Sequence, residues 1–204
     1  MNSAQISYLA LGDSYTIGES VDRAERFPLQ VTALLRAQGI PMTEPDIVAV
    51  TGWTTADLLF ALERQPAPKK VYAVVTLLIG VNNQYQGKEV NEYQMEFAKL
   101  VRLAISYAGN INSHLFVLSI PDYSVTPFAK KMDTDKIRRE IDAFNRVNKM
   151  VTTSAGAHYL DITPVSCEAK SDPALIAPDG LHPSAGQYCK WSELLVPKIL
   201  KEYQ

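Results

Sequence analysis

A serine, an aspartate and a histidine stand in two short segments near opposite ends of the sequence. Ser14 follows an apolar run at the corner Gly12-Asp13-Ser14, and Asp179 precedes His182 by three positions. A serine hydroxyl becomes a good nucleophile when a histidine accepts its proton and a carboxylate holds that histidine in the correct tautomer. These residue types predict nucleophilic acyl transfer with Ser14 as the nucleophile, His182 as the base and Asp179 as the orienting acid.

Other aspartates and histidines compete for these roles. Asp122 and Asp161 also lie at or near the ends of predicted strands and are alternatives to Asp179. Asp179 is favoured because a short Asp-x-x-His turn brings carboxylate and ring together at little cost in chain entropy. His114 and His158 stand at the beginning of predicted strands, on the opposite edge of the sheet, and are expected to be structural or surface residues.

Five apolar runs rich in β-branched residues alternate with helical patterns along the chain. This alternation is typical of a parallel sheet covered on both faces, so the sequence predicts a three-layer α/β/α fold in one domain, residues 1–204. The predicted strands are Ile6–Leu11, Asp46–Val50, Val71–Ile79, His114–Ile120 and His158–Ile162. The predicted helices are Phe27–Gln38, Thr55–Arg64, Val90–Tyr107, Thr134–Ser154 and one from about Ser184.

The candidate residues follow different strands of this sheet, and ligands bind open α/β sheets beyond the carboxyl ends of their strands. Ser14 follows the first predicted strand and Gly52 the second. Asn82 follows the third and His182 the fifth, so all of them are expected at one edge. The Gly-x-Ser-x-Gly pattern of ordinary α/β-hydrolases is broken by Thr16. A flavodoxin-like five-stranded layout, with an early serine and a late Asp-x-x-His, is therefore predicted.

These segments resemble the motif blocks of the GDSL, or SGNH, hydrolases, a family of serine esterases, lipases, thioesterases and carbohydrate acetylesterases. Ser14 matches the nucleophile of the first block and Gly52 the glycine of the second. Asn82 matches the asparagine of the third block, and Asp179 and His182 match the last. The resemblance spans nearly the whole chain. It implies an oxyanion hole formed by the backbone N–H groups of Ser14 and Gly52 and the side-chain amide of Asn82.

Two residues depart from the family pattern. Tyr15 stands where many members have leucine, and Asn83 stands where many have aspartate. Both lie beside the expected centre and bear on substrate preference more than on chemistry. Asn83 can exchange roles with Asn82, and only the resemblance favours Asn82. Asp13 is expected to bond backbone amides of its turn and is kept out of the triad.

The loops that carry the motifs also carry aromatic residues, which predict an aromatic, partly polar substrate cleft. The resemblance implies hydrolysis of short- to medium-chain acyl esters, as in acylesterases and lysophospholipases, with thioesters and sugar acetates as alternatives. The segment Pro121–Asp135 is either a flexible flap or a packed connection. The residues expected to line the cleft are Tyr15, Trp53, Tyr85, Tyr123 and Phe128, together with Ile17 and Gln84.

The composition argues against several other classes of protein. A chain of 204 residues, 47% hydrophobic and 21% charged, is large enough to bury a sizeable core. A net charge of -2 gives no reason to expect nucleic acid or stable membrane insertion. The pairs Lys69-Lys70 and Lys130-Lys131 are expected to be solvated surface. A small-molecule ester is the expected partner, and the sequence carries no signal for an oligomeric state.

Neither a metal site nor a cofactor is expected, because ligand residues with metal-like spacing are absent from the sequence. The first predicted strand begins at Ile6, which leaves no room for a signal peptide, and we expect a cytoplasmic protein. Cys167 and Cys189 are then expected to be reduced thiols. Two alternatives are not enzymes: a non-hydrolytic, flavodoxin-like ligand-binding module and a catalytically silent scaffold. Neither assigns a function to Asn82 or to the Asp179–His182 pair.

Overall fold

The computed structural model of the protein describes residues 5–64 and 71–203. Within these ranges five parallel strands form one sheet in the order β2-β1-β3-β4-β5, which is the flavodoxin-like order. The predicted fold class is confirmed; Lys69 and Lys70 lie outside the described residues. The strands are β1 (Tyr8–Gly12), β2 (Asp46–Ala49), β3 (Val74–Leu78), β4 (Leu115–Leu118) and β5 (His158–Leu160).

The strands are shorter than the apolar runs that predicted them. Every residue of β1, β3 and β4 is buried, because helices cover both faces of the central sheet. The apolar runs continue past the ends of the hydrogen-bonded strands, into residues that are not part of the sheet. Ile79 and Ile120 stay in the core after their strands have ended, whereas Val71 is exposed. An apolar run therefore marks a strand and the core residues that flank it.

The long helices form two groups that cover the sheet. Helix α2 packs on α8, and α5 packs on α6 and α3. Because βαβ crossovers are right-handed, the crossovers to either side of β1 place these groups on opposite faces. The α-helices of the described residues are α1 (Ser14–Ile17), α2 (Phe27–Ala37), α3 (Thr55–Arg64), α4 (Val81–Tyr85), α5 (Val90–Tyr107), α6 (Thr134–Ser154), α7 (Thr163–Cys167) and α8 (Ala185–Lys201).

The helical periodicity of α6 shows why the long helices could be predicted. Asp133 caps its N-terminus by accepting a hydrogen bond from the N–H of Lys136. Its buried residues Ile137, Ile141 and Phe144 recur at intervals of three or four, which places them on one face. In residues 5–64 and 71–203, none of the helices combines the length and apolar character needed to cross a membrane.

The chain leaves β1 through a tight corner that points toward the site. A Cβ on Gly12 would come within 2.2 Å of the Thr16 side-chain oxygen and 2.3 Å of the Leu78 carbonyl oxygen. Only glycine therefore fits where α1 folds back against the strand ends. As a result Ser14, the first residue of α1, lies at the carboxyl edge of β1 beside β3.

Candidate active site

The three residues of the predicted triad are joined by hydrogen bonds. His182 Nε2 lies 3.0 Å from Ser14 Oγ, and His182 Nδ1 lies 2.6 Å from Asp179 Oδ2. The other carboxylate oxygen of Asp179 accepts the N–H groups of Leu181 and His182 at 2.9 and 3.0 Å. The Asp-x-x-His turn thus fixes both ends of the ring. Ser14 and His182 are buried, which limits competition from water.

Hydrogen bonding keeps Asp179 ionised. Partial burial acts to raise the pKa of Asp179, but hydrogen bonds from His182, from the Leu181 N–H and from the Ser20 hydroxyl together hold that pKa well below its usual range. An ionised carboxylate only accepts hydrogen bonds, so Nδ1 of His182 carries the ring proton. The lone pair of Nε2 then faces the hydroxyl of Ser14, as a general base requires.

The competing acids and histidines lie elsewhere. His114 ends a short 3₁₀ turn just before β4, and His158 opens β5, so both lie at the amino edge of the sheet as predicted. Asp122 accepts a hydrogen bond from a backbone N–H two residues on, and Asp161 accepts one from a serine hydroxyl of a neighbouring loop. The ring of His182 has both nitrogens engaged with Ser14 and Asp179.

The three residues predicted to form the oxyanion hole line one small cavity. Gly52 lines it with a φ of +85°, a conformation that a side chain would strain. The side-chain amide of Asn82 donates one hydrogen to the Trp53 carbonyl at 2.9 Å, which fixes the amide and leaves its second N–H available. The N–H of Ser14 lies in the first turn of α1, where a helix offers no acceptor. Such donors can stabilise an oxyanion.

The structure distinguishes Asn82 from Asn83. Asn83 is buried, accepts the Thr55 N–H at 3.0 Å and donates to the Thr55 hydroxyl at 2.6 Å, so it fixes the start of α3. Asn82 alone of the two lines the cavity. Asp13 caps α1 by accepting the Tyr15 N–H at 3.0 Å, in the capping role predicted for it. Burial raises its pKa to about 7 despite that hydrogen bond.

The cavity holds about 160 Å³ and its wall is largely aromatic. Tyr85 is 54% exposed and Phe128 is 40% exposed, so both rings stand at the mouth. Their centroids are 6.0 Å apart, and that of Tyr123 lies 6.3 Å from Tyr85. The buried ring of Tyr15 makes an edge contact with the ring of His182, with centroids 5.4 Å apart. The four aromatic residues Tyr15, Tyr85, Tyr123 and Phe128 are thus brought together at the site.

Three residues expected in the cleft are not part of the cavity wall. The Trp53 ring packs against the core, and only its carbonyl reaches the site, through Asn82. Gln84 is buried and donates to Glu140 at 2.8 Å. Ile17 ends α1 and does not line the cavity. The wall instead includes Thr51, Val81 and Leu181, each of which is the immediate neighbour of a motif residue.

The segment Pro121–Asp135 is a packed connection in this structure. The N–H of Asp122 donates to the Ser166 hydroxyl at 2.8 Å near its start. The N–H of Phe128 donates to the Gly180 carbonyl at 3.0 Å in its middle. The first bond anchors the segment to α7, and the second joins the wall of the cavity to the loop that carries Asp179 and His182.

The fold is similar to that of several solved esterases. An acetylxylan esterase from Geobacillus stearothermophilus is 20% identical, with a TM-score of 0.72 over 95% of this chain and 94% of that chain. A lipase/acylhydrolase from Enterococcus faecalis is 18% identical, with a TM-score of 0.72 over 97% of each chain. The esterase EstA from Pseudoalteromonas sp. is 16% identical, with a TM-score of 0.71 over 97% of this chain and 98% of that chain. At these identities the likeness establishes a shared fold.

Sequence comparison assigns the family. A search of curated protein sequences gives no significant match. The model of the GDSL-like lipase/acylhydrolase family, however, matches residues 10–188, a range that runs from the end of β1 into α8 and includes both Ser14 and His182. The chain therefore belongs to the GDSL-like lipase/acylhydrolase family, a family of carboxylic ester hydrolases.

Proposed function

We propose that the protein is a serine esterase that cleaves short- to medium-chain acyl esters through an acyl-enzyme on Ser14. The observation that carries the proposal is the unbroken pair of hydrogen bonds from Asp179 through His182 to Ser14, at one wall of a cavity that Gly52 and Asn82 also line. Nucleophile, base, orienting acid and oxyanion donors are then all within one site.

In the first half-reaction, Ser14 Oγ attacks the ester carbonyl carbon while His182 Nε2 takes the hydroxyl proton. The carbonyl π electrons move to oxygen, and the N–H groups of Ser14, Gly52 and Asn82 stabilise that oxyanion. Collapse of the tetrahedral intermediate breaks the bond to the leaving alkoxide, which takes the proton from His182. The products of this step are a free alcohol and an acylated Ser14.

In the second half-reaction, water replaces the alcohol. His182 removes a proton from the water as its oxygen bonds to the acyl carbon, and the same donors stabilise the second oxyanion. Collapse expels Ser14 Oγ, which recovers its proton from His182. Asp179 stays ionised throughout and stabilises the imidazolium in both halves. The net reaction is ester plus water to carboxylic acid plus alcohol.

The size of the cavity limits the acyl group. The cavity has a volume of about 160 Å³, which is small for a substrate pocket. The apolar side chains of Val81 and Leu181 and the rings of Tyr123 and Phe128 line it. Short acyl chains therefore fit inside the cavity, whereas a long chain has to extend past Tyr85 and Phe128 into solvent.

Removal of acetyl groups from sugars is the second candidate. The rings of Tyr85 and Phe128 are both exposed at the mouth, where a pyranose can stack while its acetyl group enters the cavity. The neighbour from Geobacillus stearothermophilus is an acetylxylan esterase, and it supports this candidate through its fold.

A series of p-nitrophenyl acetate, butyrate, octanoate and palmitate tests the proposal. We expect the highest kcat/KM at acetate or butyrate, little activity on palmitate, and loss of activity in Ser14→Ala. Hydrolysis of acetylated xylo-oligosaccharides, measured in parallel, tests the second candidate function. Faster cleavage of these sugars than of p-nitrophenyl acetate would favour a sugar deacetylase. The proposal is contradicted if the parent protein cleaves none of these esters, or if a folded Ser14→Ala variant keeps full activity.

A further inference from the structure

We propose that Ser20 is a positioning residue of this active site, which extends the hydrogen-bonded series to Ser20–Asp179–His182–Ser14. The inference rests on the proposed function, because it assigns Ser20 a part in activating Ser14. Ser20 does not line the cavity, so its action passes through Asp179.

The contact itself is direct. Ser20 Oγ donates to Asp179 Oδ2 at 2.7 Å, and the same oxygen faces His182 Nδ1 at 2.6 Å. The opposite oxygen, Oδ1, is held by two backbone N–H groups of its own turn. Ser20 therefore provides the contact from outside the Asp-x-x-His turn that fixes the oxygen used by His182. Without it, the ring of His182 is the remaining hydrogen-bond partner of Oδ2, and the carboxylate is otherwise held through Oδ1.

The backbone of Ser20 indicates that the side chain is the reason for a serine here. Its φ is +64°, a region that glycine adopts more readily than any residue with a Cβ. Gly18, two residues earlier, has a φ of +68° and is glycine. Ser20 is also exposed, so burial of apolar surface does not explain it. The bond to Asp179 is the interaction that a glycine would lose.

The position of Ser20 ties the acid to the nucleophile. The turn Gly18–Ser20 directly follows α1, and the N–H of Glu19 donates to the Ser14 carbonyl at 3.0 Å. The carboxylate of Glu19 accepts the hydroxyl of Thr51, the residue before Gly52. One three-residue turn thus contacts the chain at the nucleophile, at the acid and beside an oxyanion donor. A change in this turn shifts these groups relative to each other.

The test compares Ser20→Gly, Ser20→Ala and Ser20→Asn with the parent. Glycine and alanine both remove the hydroxyl, but glycine tolerates the positive φ and alanine does not. We expect kcat on p-nitrophenyl butyrate to fall about 10-fold in both, with KM within about 2-fold, since the bond acts on the base and not on substrate binding. Asparagine tolerates the same backbone and carries an N–H donor, so it is expected to restore part of kcat.

Asn110→Gly is the matched control, because Asn110 also has a φ of +64° and lies at the end of α5, away from the site. It should leave kcat unchanged. Thermal unfolding of each variant separates stability from activity, and Ser20→Gly is expected to unfold no earlier than the parent. The proposal is overturned if Ser20→Gly has the same kcat as the parent, or if Asn110→Gly loses as much kcat as Ser20→Gly.

Labelling by a fluorophosphonate separates this proposal from the proposed function. The probe reports the reactivity of Ser14 without any ester substrate. A parent that is labelled but cleaves no ester contradicts the proposed function, while slower labelling of Ser20→Gly still supports the role of Ser20. Equal labelling rates in the parent and Ser20→Gly, or a parent that is not labelled at all, contradict the role of Ser20.

Discussion

Within residues 5–64 and 71–203, two histidine–carboxylate pairs of similar hydrogen-bond length lie at opposite edges of the sheet. At the carboxyl edge, His182 Nδ1 lies 2.6 Å from Asp179; at the amino edge, His158 Nε2 lies 2.8 Å from Glu202. Only His182 places its second ring nitrogen on a hydroxyl, that of Ser14. A histidine–carboxylate pair is therefore not a catalytic unit by itself; the third group and the edge of the sheet decide its role.

The two edges differ in how their chain segments are built. At the amino edge, Glu202 caps the end of α8, so its bond to His158 ties a long helix to β5. The ring of His158 also stacks on Phe116, with centroids 4.9 Å apart. At the carboxyl edge, the site residues lie on short helices and turns whose polar groups remain available. The pair at the amino edge joins a helix to the sheet, and the pair at the carboxyl edge is the one that we propose for catalysis.

The largest effect on kcat is expected from removing the side chain of Ser14 or of His182. Ser14→Ala and His182→Ala should each lower kcat by about 10³-fold or more, because the nucleophile or its base is lost. His158→Ala should keep kcat within about 2-fold and lower only the melting temperature. Steady-state kinetics with thermal unfolding of the three variants provides the measurement. Comparable kinetic losses at both histidines would mean that the two edges do not differ as described.

The next comparison neutralises the two carboxylates. Asp179→Asn should reduce kcat by about 10²–10⁴-fold, since an amide can donate to Nδ1 and favours the wrong tautomer of His182. Glu202→Gln carries the same chemical change at the amino edge and should leave kcat unchanged. The measurement is kcat/KM of both variants across pH 5–9. If Asp179→Asn remains fully active, another residue must be the orienting acid.

Asn82 and Asn83 allow a sharper comparison within the carboxyl edge. Asn82→Ala should lower kcat by about 10²–10³-fold with little change in stability, because it removes one oxyanion donor. Asn83→Ala should instead reduce the free energy of unfolding by about 1–3 kcal/mol, because it leaves the backbone N–H of Thr55 without its acceptor at the buried start of α3. Urea unfolding and kcat, measured on both, should give opposite patterns; the same pattern in both would refute the distinction.

The last comparison concerns Asp13, a carboxylate at the same edge that is not paired with a histidine. Its pKa is raised to about 7 by burial, against about 3.9 in an unfolded chain. Between these values the folded state binds a proton that the unfolded state has lost, so this group makes stability fall as pH rises from about 4 to 7.

Asp13→Asn removes this titration and keeps an acceptor for the Tyr15 N–H. Relative to the parent, the variant should gain stability at pH 8 compared with pH 5, by up to about 3 kcal/mol. Urea unfolding at the two pH values measures the difference. An equal difference between variant and parent at both values would show that Asp13 does not titrate in this range.

The regular elements could be predicted because their patterns repeat. Helices α3, α5 and α6 begin and end at the predicted residues, since caps and an amphipathic period mark them along 10 to 21 positions. The strands were located by continuous apolar runs, and only their ends were overestimated. The order of the strands followed from general rules for open α/β sheets.

The details of the site are local and leave no such pattern. Helices α1 and α4 have only 4 and 5 residues, too few for a period to be recognised. Trp53 was expected at the cleft because it follows Gly52, but the sequence does not show which way a side chain leaves a turn. Ser20 contacts a residue 159 positions away, so no local spacing indicates its partner.

The bond between Ser14 and His182 joins residues 168 positions apart in the chain. On a ribosome the proposed nucleophile emerges early and its proposed base late, because protein synthesis proceeds at about 5–20 residues per second. A nascent chain therefore carries an inert serine for many seconds, until the final loop docks beside β1. Hydrolytic activity arises in the same event that completes the tertiary structure, which makes ester turnover a direct reporter of finished folding.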